Sequence, residues 1–170
     1  EPTEKEVWAN LDSFLLKTYC GHKIIGVAVD SGYLTEHAYA FTKPRAGRRV
    51  FAIKGVSGMG RPLTSAPRQT GRQRVMLYQV GVDTAKRTVY SWLHNDKVHF
   101  SADLDEEFFA QLTAEKLVTK FRKGFSVLEW VKTRERNEAL DCFVYAYAAL
   151  NNLNPDLLKV RARKIAPPVL

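Results

Sequence analysis

Acidic side chains in two apolar segments are the residues of this sequence best able to do chemistry. The segment 133–152 near the C-terminal end carries Leu140, Phe143, Val144, Tyr147 and Ala148 at helical spacing. This predicts an amphipathic helix with its apolar face turned to the core. Glu138 and Asp141 interrupt it, and a separation of three places both carboxylates on one side of the helix. Asp141 is followed at once by the most apolar part of the segment, so its carboxylate needs a partner, either a basic side chain or a bound cation. Asp30 closes a second apolar run, Ile24-Ile-Gly-Val-Ala-Val29, and is followed by Ser31-Gly32. An acid at the C-terminal end of a buried strand lies where open α/β sheets put their chemistry. Capping the helix that opens at Leu34-Thr35-Glu36 is the structural alternative, for which Thr35 is better placed. Asp83 ends the run Arg74–Val82 in a similar position, and there a cap is the simpler reading.

Asp30, Glu138 and Asp141 together resemble half of a carboxylate cage for divalent cations. Hard oxygen donors suit Mg²⁺ or Mn²⁺, which bind through few carboxylates plus waters and substrate phosphate. Two such ions about 4 Å apart activate water and stabilise the leaving oxygen in phosphodiester hydrolysis. The charge distribution points to a compatible partner. The formal net charge is +8, and nine of the 26 basic residues lie between His37 and Val82 with no acid among them. The rest of the chain is close to neutral. Such a basic stretch is the footprint expected for a phosphate backbone, and a solvated loop is its alternative. Gly55-Val-Ser-Gly-Met-Gly-Arg61 lacks the Gly-Lys-Ser/Thr ending of a nucleotide P-loop.

The elements that must position these groups follow from periodicity. With 170 residues, 45% hydrophobic and 11% aromatic, the chain can bury one sizeable core, so a single domain over 1–170 is expected. Cys20 and Cys142, both in predicted helices, have no metal-ligand spacing, which argues against a disulfide framework or zinc site. There is no apolar run of about 18 residues, so no membrane helix is predicted. Thr3 and Glu6 have capping-box spacing before a first helix ending near Gly21. Ile24–Val29 reads as a buried central strand, 37–41 as a short helix halted by Pro44, and Arg49–Lys54 as a second buried strand. This strand–helix–strand unit predicts a right-handed connection and a partly parallel sheet. Residues 55–73 read as a basic, mobile loop. Then come a third strand over 74–82, a helix to Leu93, an edge strand over 97–102, a helix over 103–112, and a hairpin turning at Lys123-Gly124. Trp130 and Phe121 either pack on the core or contact DNA. Residues 155–170 form a basic tail.

Several blocks in this order resemble the C-terminal nuclease region of the lambda-like phage terminase large subunit. They are Val7-Trp8…Leu11-Asp12…Leu15-Leu16, Val29-Asp30-Ser31-Gly32…Thr35…Ala38-Tyr-Ala-Phe41, Arg49-Val-Phe-Ala-Ile-Lys-Gly55, Val80-Gly-Val-Asp-Thr-Ala-Lys86 and Arg136-Asn-Glu-Ala-Leu-Asp-Cys142. The Asn-Glu-Ala-Leu-Asp-Cys block is the most specific. The resemblance implies an α/β fold, an RNase H-like (RuvC-like) mixed sheet flanked by helices, within a DNA-packaging motor of phage or prophage origin that cuts concatemeric double-stranded DNA with two Mg²⁺ or Mn²⁺ ions. In that family the first metal-binding Asp lies upstream of the Trp-containing helix, so the chain reads as N-terminally truncated and potentially inactive alone, with an uncovered sheet edge. Asp30 would match the second acid, and Asp141 helped by Glu138 the acids of the final helix. Asp83 is a further, weaker metal candidate. The implied role of the basic stretch is sequence-independent contact with the DNA backbone. Arg61, Arg68 and Arg72 are free in a Gly/Pro-rich segment to make it. Lys54 and Lys86, nearer the acids, would steer the scissile phosphate or serve as counter-charges to Asp30 and Asp83. Implied partners are the small terminase subunit and the portal, in the host cytoplasm at the procapsid, with no membrane.

Two other readings fit the same residues. In a non-catalytic DNA-binding or packaging-adaptor module, Glu138 and Asp141 would pair with Arg134, Arg136 or Lys54. Another RNase H-like enzyme, a resolvase or transposase, would share the acids and differ in its DNA substrate.

Overall fold

A computed structural model describes residues 5–19 and 21–154. In chain order it contains α1 (Lys5–Leu16), β1 (Thr18–Tyr19), β2 (His22–Lys23), β3 (Val27–Asp30), α2 (Thr35–Thr42), a 3₁₀ segment (Lys43–Arg48) and β4 (Val50–Val56). Then follow β5 (Arg68–Thr70), β6 (Val75–Gly81), α3 (Val82–His94), α4 (Glu106–Leu112), β7 (Glu115–Arg122), β8 (Phe125–Lys132) and α5 (Glu138–Leu153). The strand order of the main sheet is β3-β4-β6-β5. The first three strands are parallel, with Asp30 opposite Ile53 and Lys54 opposite Gln79, and β5 is antiparallel to β6. The α/β class and the parallel strand–helix–strand unit therefore stand as read from the sequence.

Alternation along the strands assigns the faces. Ile53 and Val80 meet Ala85 and Val89 of α3 and Leu140, Val144 and Ala148 of α5 in one buried cluster. The opposite face packs on α1 and α2, where Val50 meets Leu15 and Phe41 and Ala52 meets Tyr39 and Val75. Asp12 fastens α1 to the 3₁₀ segment, accepting from Arg45 Nε at 2.9 Å and Arg48 Nη1 at 2.7 Å. Two cations of the basic stretch are thus already neutralised within the fold.

Six expectations need correction. The segment Ile24–Gly26 is irregular and β3 begins only at Val27. Rather than lying centrally, β3 is half-buried with β4 as its one hydrogen-bonded neighbour among the described residues. The first helix stops at Leu16, because the chain turns back through β1 and β2 and Tyr19 donates its hydroxyl to the Phe14 carbonyl at 2.9 Å. Residues 55–73 are not a free loop. Val80 bridges Thr64, Ser65 and Gly81 donate to Gln79 and Leu63, and β5 completes the edge. No strand forms over 97–102; Phe100 there packs on Phe109, ring centroids 5.3 Å apart. Finally, α5 begins at Glu138 rather than near Thr133, which puts both of its acids in the first turn. The Thr3 cap, Cys20 and the basic tail lie outside the described residues.

The predicted hairpin is present, with unbroken register from Glu115↔Lys132 to Arg122↔Phe125. Lys123 and Gly124 at its turn have φ of 51° and 82°, the left-handed pair that matches strand twist in a two-residue hairpin. Its base is anchored where Trp130 stacks on Tyr90 at 4.9 Å, while Phe121 at the tip is 77% exposed. Packing and exposure are thus divided between the two aromatic residues. Among the described residues no helix is long and apolar enough to cross a membrane.

Candidate functional site

Asp30 ends β3 with the side-chain parity of Ala28, which faces α5. On α5, Asp141 and Tyr145 are four residues apart and so lie one above the other on the flank beside β3. The result is a cavity of about 860 Å³ lined by Asp30, Glu138, Asp141, Cys142 and Tyr145 at one end and by apolar residues such as Ile24 and Leu153 at the other. Two acids from distant parts of the sequence therefore face a common space at the C-terminal end of a parallel strand.

Each carboxylate is held differently. Asp30 accepts the Gly32 amide at 2.9 Å, and the Tyr145 hydroxyl approaches its other oxygen at 3.5 Å. Neither Asp30 nor Thr35 caps α2, since Thr35 donates its hydroxyl to the Ser31 carbonyl. Tyr145 reaches Asp30 across Gly55, where a Cβ would stand 2.8 Å from the hydroxyl oxygen. Burial, reinforced by Asp30 and Asp141, pushes the Tyr145 hydroxyl well above its ordinary pKa, so it remains a donor. Asp141 accepts from Asn137 Nδ2 at 3.2 Å. Burial raises the pKa of its carboxyl, as do Glu115 and Asp30, against the opposing pull of Lys86 and Lys132. Glu138 turns outward to Arg136 Nε, 3.3 Å away, with both side chains mainly exposed. The N-terminal dipole of α5 favours both helix acids.

Asp83 does not join this group. It accepts the Gly58 amide at 2.8 Å, fixing the loop after β4, while Gly81 is the residue at the N-cap of α3. Lys54 has the parity of Val50 and Ala52 and so faces the α1/α2 side, away from Asp30. Lys86 is the larger correction: it is 8% exposed and donates to both Glu115 oxygens at 2.8 Å. Burial there is incompatible with a direct grip on a bulky phosphate backbone. Arg61, Arg68 and Arg72 are exposed, although Arg61 Nε also donates to the Ser57 carbonyl. Arg87, which no motif singled out, is exposed and lines a groove of about 440 Å³ with Arg61, Thr84, Thr88 and Ser91.

The sequence reasoning also missed Glu115 and Asn137. Asn137 Nδ2 donates to Glu115 Oε1 at 2.9 Å and to Asp141, while its Oδ1 accepts from Lys132 Nζ at 2.8 Å. Asn137 lies in the most specific motif, but Glu115 opens an apparently ordinary strand, and only tertiary structure joins it to Lys86.

Among the described residues no group of three His, Cys, Asp or Glu is close enough to hold a metal. Asp30 and Asp141 nevertheless fit a hard divalent cation: both are oxygen donors lining one cavity, and Mg²⁺-type ions take one or two carboxylates with water and phosphate completing the shell.

Residues 1–163 match the family described as the terminase large subunit gpA, endonuclease domain. The chain is 35% identical over 168 residues to the terminase large subunit of Enterobacteria phage P21, covering 88% of this chain and 26% of that protein. It is 40% identical over 126 residues to the terminase large subunit of Escherichia phage lambda, covering 66% of this chain and 19% of that protein. It therefore spans about a quarter or less of the relatives it matches. No solved structure matches it.

Proposed function

The chain belongs to the endonuclease-domain family of the terminase large subunit gpA, and from that premise we propose that it forms part of an RNase H-like, metal-dependent endonuclease cutting double-stranded DNA during phage packaging. The observation that carries this reading is the convergence of Asp30 and Asp141 on one cavity at the end of a parallel strand. Asp30 and Asp141 would hold Mg²⁺ or Mn²⁺, with Glu138 able to join on leaving Arg136. Such ions lower the pKa of an attacking water and stabilise the leaving oxygen of a phosphodiester. Water, phosphate oxygens and a further carboxylate of the complete protein would complete the donor set, where two ions are expected.

The chain's own residues do the positioning. Tyr145 holds one side of Asp30, and Asn137 holds one oxygen of Asp141. Arg61, Arg68 and Arg72, joined by Arg87, would bind the DNA backbone without reading sequence. The partners proposed for the complete protein are the small terminase subunit and the portal, with packaging in the host cytoplasm. The Glu138–Arg136 pair favours the adaptor reading for that acid alone, since among the described residues Asp141 forms no comparable ion pair.

Paramagnetic Mn²⁺ added to ¹⁵N-labelled chain tests this. Broadening should centre on residues 30–32 and 138–142 and disappear in Asp30→Asn and Asp141→Asn. Broadening centred instead on the acidic start of α4 would exclude the proposed centre.

A further inference from the structure

Asn137 occupies the N-cap of α5, and Asn is among the residues best suited to cap a helix through its side-chain oxygen. It makes no such cap. Its Oδ1 is taken by Lys132 Nζ at 2.8 Å, and the Ala139 amide is capped instead by Gln111 Oε1 at 3.3 Å. Freed from capping, the Nδ2 group reaches two carboxylates, Glu115 at 2.9 Å and Asp141 at 3.2 Å. The carboxamide can adopt only one orientation here. A flip would aim its oxygen at two anions and its N–H groups at an ammonium.

The support behind it is buried. Asn137 is 6% exposed, Glu115 5% and Lys86 8%. Both Glu115 oxygens are fixed by Lys86, and its backbone is fixed by Tyr90, whose hydroxyl accepts the Glu115 amide at 3.2 Å and donates to the Glu115 carbonyl. Elements α3, β7 and the start of α5 thus converge on a single amide that touches Asp141.

We infer that Asn137 is a positioning residue for Asp141: anchored by the buried Lys86–Glu115 pair, it occupies one carboxylate oxygen and turns the other toward the cavity, where a divalent cation would bind. This rests on the proposed function only for the identity of the ligand. Partners that orient a metal-binding side chain typically alter metal affinity by roughly 10–100-fold when removed.

The test compares Mn²⁺ affinity of the chain with that of Asn137→Ala and Gln111→Ala, alongside the side-chain amide signals of Asn137 in the parent and in Asp141→Ala. Loss of the Gln111 cap weakens α5 without touching Asp141, so it controls for a merely structural effect. The expected result is roughly 10–100-fold weaker Mn²⁺ binding in Asn137→Ala, parental affinity in Gln111→Ala, and Nδ2 protons that exchange slowly and shift in Asp141→Ala. Parental Mn²⁺ affinity in a folded Asn137→Ala overturns the inference. If the parent chain binds no Mn²⁺, the functional reading fails for this chain. The amide signals then decide separately: a response to Asp141→Ala sustains the positioning role, and no response removes it.

Discussion

Two aspartates in this chain are tuned in opposite directions. Asp12 is held far below the ordinary carboxylate range, chiefly by hydrogen bonds from Arg45 and then Arg48. Asp141 is raised, chiefly by burial. A depressed folded pKa contributes stability above the unfolded value of about 3.8 and loses it as pH falls toward the folded value. A raised one contributes stability at low pH that is lost as pH rises through the folded value. Thermal unfolding should therefore place Asp12→Asn below the parent at pH 7, the difference shrinking on acidification below the unfolded value. Asp141→Asn should lie above the parent at pH 7 and converge with it on acidification. Higher stability on neutralising Asp141 would fit a carboxylate kept for a ligand at the expense of stability.

The buried pair behaves differently again. Removing Lys86 alone leaves Glu115 charged and unpaired, so Lys86→Met should cost about 3–5 kcal/mol by denaturant unfolding, whereas Lys86→Met with Glu115→Gln should cost less than the single change. Asp30 and Asp141 were conspicuous in the sequence because Asp30 closes one apolar run and Asp141 opens another, and the fold places both on one cavity. The role of Lys86 was not, since a lysine in a helix after a strand gives no sign of the glutamate it meets 29 residues later.

At the scale of elements, local chemistry was readable where it was self-sufficient. The Lys123-Gly124 turn and the parallel unit around α2 carry their own signals, whereas Asp83, read as a cap, binds the Gly58 amide and leaves the N-cap of α3 to Gly81. The basic stretch misled because Gly, Pro and Arg describe composition rather than contacts. Its backbone satisfies itself along β6, which a run without large apolar residues does not announce. Gly81 is essential to this arrangement: a Cβ there would lie 2.4 Å from the Pro62 carbonyl oxygen. Gly81→Ala should destabilise by about 1–3 kcal/mol or more, because the obstacle is backbone that cannot rotate away. Its hydrogen-exchange protection should fall first across 63–70. Uniform protection there would mean that the stretch docks independently of β6.

For the whole molecule, the fold sorts its charge. Arg45 and Arg48 are bound to Asp12 and Lys86 to Glu115, leaving Arg61, Arg68, Arg72 and Arg87 exposed. Replacing Arg61, Arg68 and Arg72 by Ala should weaken duplex DNA binding similarly for all sequences and reduce the slope of log K against log salt by about 3. An unchanged slope would move the DNA-binding face elsewhere.

Whether Asp30 and Asp141 form one hydrolytic centre is decided by plasmid cleavage with the complete large subunit in Mg²⁺ and Mn²⁺. Asp30→Asn and Asp141→Asn should each bind DNA like the parent yet lose cleavage by about 10²-fold or more, the double variant losing little beyond either single one. Parental cleavage in either folded single variant would contradict the account.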